Sequence, residues 1–370
     1  MKKLLLLLLL ASSIVSCNQS DTKKTKKPVQ PIPVAEVVKK EKTLPPLIAD
    51  EVNYTDDVFG NIIELTGESK VSDYILGISE LQMIANDSLL ITKSFGTRLF
   101  TLFSLPDFKF IKTFGNKGRG PGEFSFPSLV KTENSNSLCY IYSSNTNELY
   151  PLIKNNEISK TPIKIKSTKE YNDRQIYGLS PNHLLYVENT KGGKAVYDLK
   201  INGDSSRTKP IYNLAFSKNH RNWAAYCGDF GANADKQRFV YAYKYFKRLV
   251  FHDLQNNTTR IVNFESEKAK SGSATDMLAP TNVTHYWGIS AQKDYVYLLY
   301  SGRTPIQVTK ENNKTSGYIY VEQFDWNGNP IRKFKLDHWG YFCVNDAENT
   351  IILASTTELD PFFTYNIPAL

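Results

Sequence analysis

The residues whose types and spacing could do chemistry gather in a few stretches of this 370-residue chain. Between Phe114 and Phe124, Gly115, Gly118, Gly120 and Gly122 surround Arg119 and lead through Pro121 to Glu123. Such a loop can turn backbone amides toward an anion, with Arg119 assisting. A nucleotide-phosphate loop also needs a following Lys-Ser/Thr pair and a helix N-terminus, and neither is present. The glycines are better explained as a crossing between strands that needs positive φ angles beside a rigid proline. A second stretch, His220 to Gly231, brings together Arg221, Trp223, Tyr226 and Asp229. Aromatics with polar tips beside an arginine and an aspartate could stack on, and hydrogen-bond to, a sugar or an extended peptide. Together with Arg119, these four are the candidate ligand-binding residues. Trp287, in His285-Tyr286-Trp287-Gly288, reads instead as packing between sheets.

Catalytic signals are sparse. The five histidines, His183, His220, His252, His285 and His338, stand apart, with no HxH, HExxH or paired-carboxylate spacing beside them. Neither a Gly-x-Ser-x-Gly elbow nor a repeated Asp-x-Asp calcium loop occurs. No catalytic residue, metal ligand or cofactor is therefore assigned, although a site dispersed over several loops would leave no linear motif. Cys139, Cys227 and Cys343 lack any CxxC or Cys/His grouping. They read as buried thiols in strands, with room for at most one disulfide.

The elements that would position these residues begin after an N-terminal segment of different character. Lys2 and Lys3 precede an apolar run, Leu4–Leu10, too short to span a bilayer, and Ile14-Val15-Ser16-Cys17 resembles a bacterial lipobox. Residues 1–16 are expected to be a lipoprotein signal peptide, with Cys17 the acylated first residue of the mature chain and its membrane anchor. Residues 17–47 are rich in lysine and proline, with too little to bury and too many prolines to pair, and read as an extended tether. The expected location is the cell envelope, at the outer membrane in preference to the inner. The chain holds 45 basic and 37 acidic residues; Lys2, Lys3 and seven tether lysines, set against three tether acids, leave 36 basic and 34 acidic from Ile48 onward. The excess positive charge belongs to the signal and tether, so a nucleic-acid partner has no support from the folded part.

Residues 48–370 consist of short β-branched and aromatic runs with almost no helical periodicity. Asn86-Asp87, Asn182, Gly203-Asp204, Asn256-Asn257 and Asn327-Gly328-Asn329 each separate two such runs and predict hairpins. A weak repeat of roughly 40 to 50 residues recurs six times, each copy holding four strands, which is the pattern of propeller blades. The copies start at Ser79, Ser128, Gln175, about Phe239, Tyr286 and His338, and the fifth is lengthened by an insertion from Thr304 to Ser316. The spacing predicts an all-β, six-bladed β-propeller of four-stranded antiparallel blades, closed by an N-terminal strand and monomeric. The last copy lacks a clear outer strand. Asp57–Leu65 is expected to supply it, with Phe59, Ile62, Ile63 and Leu65 pairing against the C-terminal blade.

The first copy ends in Phe114-Gly115, and its glycine-rich loop leads through Gly120-Pro121-Gly122-Glu123-Phe124 into the second, which resembles the NHL-type blade ending. With the lipobox and the copy number, residues from about Tyr54 to Leu370 resemble the TolB-like six-bladed propeller lipoproteins of Bacteroidetes. The resemblance implies a propeller on an acylated tether and, for most members, no established activity; no catalytic residue carries over. Asp87-Ser88-Leu89 resembles the Asp-Ser/Thr-apolar acceptor for O-glycosylation of exported proteins in that phylum, so Ser88 is a candidate site beside the plainer reading of a hairpin turn. The expected function is a non-enzymatic binding or scaffold module for a protein or glycan partner at the envelope. The alternative is a propeller hydrolase or lyase acting on an extracellular polymer, its residues gathered around the central channel.

Overall fold

The structure, a computed structural model, describes residues 44–77, 81–133, 137–153, 157–165, 175–203, 205–218, 220–264, 282–314 and 317–370. The expected signal peptide, Cys17 and the expected tether as far as Thr43 lie outside the described residues.

Runs in which every residue is buried, such as Arg238–Tyr243 and Thr350–Ser355, mark strands covered on both faces. A sheet sandwiched between two others requires that pattern, whereas a half-solvated sheet would alternate. Six such sheets are present. From the axis outward, blade 1 comprises Gln82–Ala85, Leu89–Lys93, Arg98–Ser104 and Phe110–Lys117, and blade 2 Pro127–Val130, Ser137–Ser143, Glu148–Ile153 and Ile163–Lys164. Blade 3 comprises Ile176–Ser180, His183–Thr190, Gly193–Asn202 and Ser205–Asn213, and blade 4 Gly228–Asn233, Arg238–Tyr243, Arg248–Asp253 and Thr258–Phe264. Blade 5 comprises Thr284–Ala291, Tyr295–Arg303, Ile319–Asp325 and Pro330–Leu336. Blade 6 begins with Gly340–Asn345, Thr350–Ser355 and Phe362–Asn366. The hairpin signals hold where residues are described: Asn257 adopts a left-handed backbone at φ 52°, and Gly328 turns at φ 79°. Two strands escaped the sequence pattern. Gly228–Asn233 had been absorbed into the irregular stretch around Trp223, and Phe362–Asn366 follows a loop that interrupts the last copy.

An N-terminal strand closes the ring, as expected, but Glu68–Lys70 does so, pairing antiparallel with Phe362–Asn366. Ile63–Leu65 instead lies parallel to Pro330–Leu336 of blade 5, and Asp50–Tyr54 lies parallel to Thr258–Phe264 of blade 4. The incoming chain therefore covers three outer edges in succession, edges that would otherwise offer unpaired backbone groups. The step from blade 5 to blade 6 turns at Gly67, whose amide donates to the Asp337 carboxylate at 3.1 Å. A Cβ there would lie 2.8 Å from the Tyr365 ring, so only glycine fits. Phe59 fixes the segment by stacking on Phe264 at 5.9 Å and meeting Phe324 edge-on at 5.5 Å.

Each junction between neighbouring blades holds its own apolar core, for example Tyr177, Val196, Phe230 and Tyr241 between blades 3 and 4, and Phe251, Val262, Leu298 and Phe324 between blades 4 and 5. The latter junction also buries charge. Lys333 and Lys247 approach Glu322 at 2.9 and 3.5 Å, the Tyr286 hydroxyl donates to Glu322 Oε2 at 3.0 Å, and Asp56 from the N-terminal segment pairs with Lys247. Cys139 and Cys343 are buried free thiols, and Cys227 is half-buried.

Candidate ligand site at the channel mouth

The direction of the strands sorts the loops into two faces. Because neighbouring strands in a blade run antiparallel, loops from strand 2 to strand 3 and crossings from one blade to the next share one face, here the entry face. Loops from strand 1 to 2 and from 3 to 4 share the other. Pro45, whose carbonyl accepts from Arg238 Nη2 at 2.6 Å, lies beside the first hairpin of blade 4, on the face opposite the entry face.

The six inner strands run in the same sense about the axis, so the residues at or next to their starts ring the entry mouth. These are Gln82, Ser128, Gln175, Asp229 and Tyr341, and together with Trp287, three residues into the longer inner strand of blade 5, they line a cavity of about 330 Å³. That volume falls at the lower end of ligand pockets. Two β-bulges in the inner strand of blade 5, at Thr284/Tyr286 and Tyr286/Gly288, break its alternation. The bulges let Tyr286 enter the core while its neighbour Trp287 lines the channel. Lys244 sits 4.3 Å from the Trp287 ring centroid and Trp339 meets it edge-on at 5.9 Å.

The far end of the cavity is closed. Lys131, just beyond the inner strand of blade 2, reaches blade 5 on the opposite side of the ring, where its ammonium bonds to the Ala291 carbonyl and to Gln292 Oε1 at 2.8 Å. Gln292 is held in turn by the Val344 carbonyl at 2.7 Å and Ser290 Oγ at 2.9 Å. Burial pulls the Lys131 pKa below the usual lysine range, against the opposing pull of Glu133 and Asp346. Burial also pushes the neighbouring Cys343 thiol up to about 12, which keeps it protonated and unreactive.

Polar atoms in the cavity wall are incompletely satisfied. The Gln175 Nε2 group donates to the Gly228 carbonyl at 2.5 Å, yet its Oε1 has no partner, and neither does Trp287 Nε1. Beyond the cavity lining, Asn345, at the end of the inner strand of blade 6, is buried with both amide atoms unpaired among the described residues. Each such group costs about 1–3 kcal/mol unless water or a ligand meets it.

The structure separates the candidates named from sequence. Asp229 lines the channel. Arg119, Arg221 and Trp223 are exposed on blade-to-blade crossings of the entry face, where the Lys194 ammonium lies 5.5 Å from the Trp223 ring. Tyr226 belongs to the core: it is fully buried, and its hydroxyl donates to the carbonyls of His220 and Ser217 at 2.7 and 3.0 Å. A ring that braces its own loop in this way offers no stacking surface. The glycine loop around Arg119 is occupied by its own acid, since Glu123 Oε2 accepts from the Gly120 amide at 2.8 Å and fills the space beside Gly118. Ser88 is exposed in a turn whose Asn86 side chain accepts from the Leu89 amide at 2.9 Å. Among the described residues no group of three His, Cys, Asp or Glu side chains is placed to hold a metal ion. The histidines have local partners: His183 bonds Asp198 at 2.5 Å, and His338 stacks on Phe363 at 3.7 Å.

Comparison with known proteins follows from this ring of six. The family description of TolB-like 6-blade propeller-like proteins matches residues 59–347. The chain belongs to that family. A member of the DUF4221 family from Bacteroides vulgatus superposes with a TM-score of 0.57 at 13% identity, covering 83% of this chain and 98% of that one. A protein from Bacteroides fragilis inferred to be exported superposes with a TM-score of 0.54 at 11% identity, covering 86% and 99%. At these identities the likeness is one of fold. No curated protein matches the sequence.

Sequence reasoning missed Gln82, Lys131, Gln175 and Gln292; Trp287, read as packing between sheets, does pack against the core of blades 5 and 6 and also lines the cavity. A signal existed in the repeat itself. Registered on their inner strands, most copies open with a polar or amphipathic residue, and that position faces the axis.

Proposed function

We propose that this protein is an envelope-anchored lipoprotein, acylated at Cys17, whose propeller is a non-enzymatic binding module for a protein or glycan partner. The observation that carries the reading is the asymmetry of its two faces. Val71, Ile75, Phe95, Phe126, Trp223 and Leu359 are exposed on entry-face loops, around the open cavity. The strand 1–2 and 3–4 loops of the opposite face expose no large apolar residue among those described, and the apolar exposure there is confined to Ile48 and Ile62 of the incoming segment and Leu370 at the C-terminal end. Apolar exposure gathered on loops around an open cavity supports a contact surface. The Bacteroides fragilis relative inferred to be exported supports an envelope location, and the outer membrane is the proposed one. Arg119, Arg221, Trp223 and Asp229 are its proposed ligand contacts, and Ser88, on the opposite face, is left free for glycosylation.

The test uses the purified propeller against arrays of glycans and peptidoglycan fragments, together with Phe126→Ala and Trp223→Ala. Binding should weaken by about five- to a hundredfold in those variants while the thermal midpoint stays put. Binding indifferent to both substitutions, or a catalysed change in any arrayed polymer, would overturn the reading.

A further inference from the structure

The cavity at the centre differs in chemistry from the apolar loops around it. Its mouth carries one carboxylate, Asp229, two primary amides, Gln82 and Gln175, one hydroxyl, Ser128, and two amphipathic aromatics, Trp287 and Tyr341. The unmatched atoms are of both kinds, a donor at Trp287 Nε1 and an acceptor at Gln175 Oε1, and both are shielded from bulk water. A ligand group that donates and accepts at once suits such a wall, and a hydroxyl is that group. Among the described residues the one cation lining the cavity is already committed, because Lys131 is bound by Ala291 and Gln292 and faced by Glu133 and Asp346. An acidic ligand would therefore meet Asp229 at the mouth and no free positive charge at the floor. Lys131, bridging from blade 2 to blade 5 at the far end, stands in the path of an extended chain threading the ring.

We infer that the central channel is a saccharide pocket that takes the neutral terminal sugar of a chain entering from the entry face. The polyhydroxylated ring fits three features together: mixed donors and acceptors, aromatic walls for its apolar faces, and a blind cavity of about 330 Å³. Trp287 supplies the ring contact and an N–H donor. Gln175, fixed through its Nε2 on the Gly228 carbonyl, presents an acceptor whose position is set by the backbone of blade 4. Asp229, in the same strand as Gly228, accepts from a second hydroxyl. The inference rests on the binding-module reading and adds to it the ligand class and the seat.

The experiment titrates the purified propeller with cellobiose, maltose, N,N′-diacetylchitobiose and glucuronate, following tryptophan fluorescence and ligand-observed NMR. At least one neutral disaccharide should bind, glucuronate should bind more weakly, and Trp287→Ala and Gln175→Ala should each weaken binding about tenfold or more. Ser88→Ala, in an exposed turn on the opposite face, should leave the sugar affinity unchanged. Trp287 packs on Trp339 and Lys244, so Gln175→Ala is the variant that keeps the test valid if Trp287→Ala does not fold. Absence of binding by all three neutral disaccharides at millimolar concentration overturns the inference. So does binding that survives Gln175→Ala undiminished. A macromolecular partner still held at Phe126 and Trp223 in those cases would leave the binding-module reading standing and remove only the channel sugar.

Discussion

Two buried polar groups adjoin blade 5 and are built on opposite terms. Between blades 4 and 5, Lys247 and Lys333 share Glu322, Tyr286 donates to the same carboxylate, and Asp56 balances the second ammonium. Both ammonium groups also lie 4.3 Å from the Tyr300 ring. Along the axis, by contrast, Trp287, Gln175 and Asn345 keep atoms with no protein partner. Charges taken from water are tolerated only when their neighbours answer them, so the first group is a joint between blades and the N-terminal segment. A wall left unanswered in a cavity is affordable to the fold only if something else meets it. The difference teaches where to look for function: in the group that packing does not explain.

Breaking the joint should have the largest effect. Glu322→Gln leaves two buried ammonium groups with half their compensation, and the expected loss is about 3–5 kcal/mol of unfolding free energy, read from urea melts. A loss below about 1 kcal/mol would show that the two lysines find water or other partners and that the joint is not a closed network.

Acid attacks the same side of the molecule. Burial lowers His285 to about 3, helped by the nearby Lys247 charge, and lowers His252 to about 4. Both histidines are therefore neutral in the fold at pH 5, while in the unfolded chain they take up protons below about 6.5. Stability is full above that value and is lost as pH falls through it, by about 2 kcal/mol per histidine at pH 5. Urea midpoints at pH 7 and pH 5 measure the sum, and a His285→Gln variant should halve the slope. Half the expected loss would mean that one of the sites is open to water, and a flat profile that both are.

The smallest effect is expected at the axis. Asn345→Leu removes an amide whose two polar atoms have no partner, so its stability should change by less than about 1 kcal/mol, in either direction. A cost of more than about 2 kcal/mol would place Asn345 in a hidden network and erase the contrast between the two regions.

The sequence by itself determined the repeat and its consequences. Short β-branched and aromatic runs between Asn and Gly turns impose hairpins locally, because period and turn chemistry act over a few residues. Six copies then call for a ring, since an open array would leave edges exposed. The glycine loop was also legible as a crossing rather than an anion site, and Glu123 filling it is the structural counterpart of that reading. What only the tertiary structure decided depends on neighbours far away in sequence. Ile63–Leu65 and Glu68–Lys70 look alike as short strands, and the Asp337 carboxylate that turns the chain at Gly67 comes from 270 residues further on. Tyr226 and Trp287 are both aromatic residues in irregular stretches. One is sealed by the carbonyls of its own loop and the other is placed along the axis by bulges whose register is set by pairing with the next strand. Composition cannot tell these cases apart, because burial and hydrogen-bond satisfaction are properties of the partners a side chain meets and not of the side chain itself.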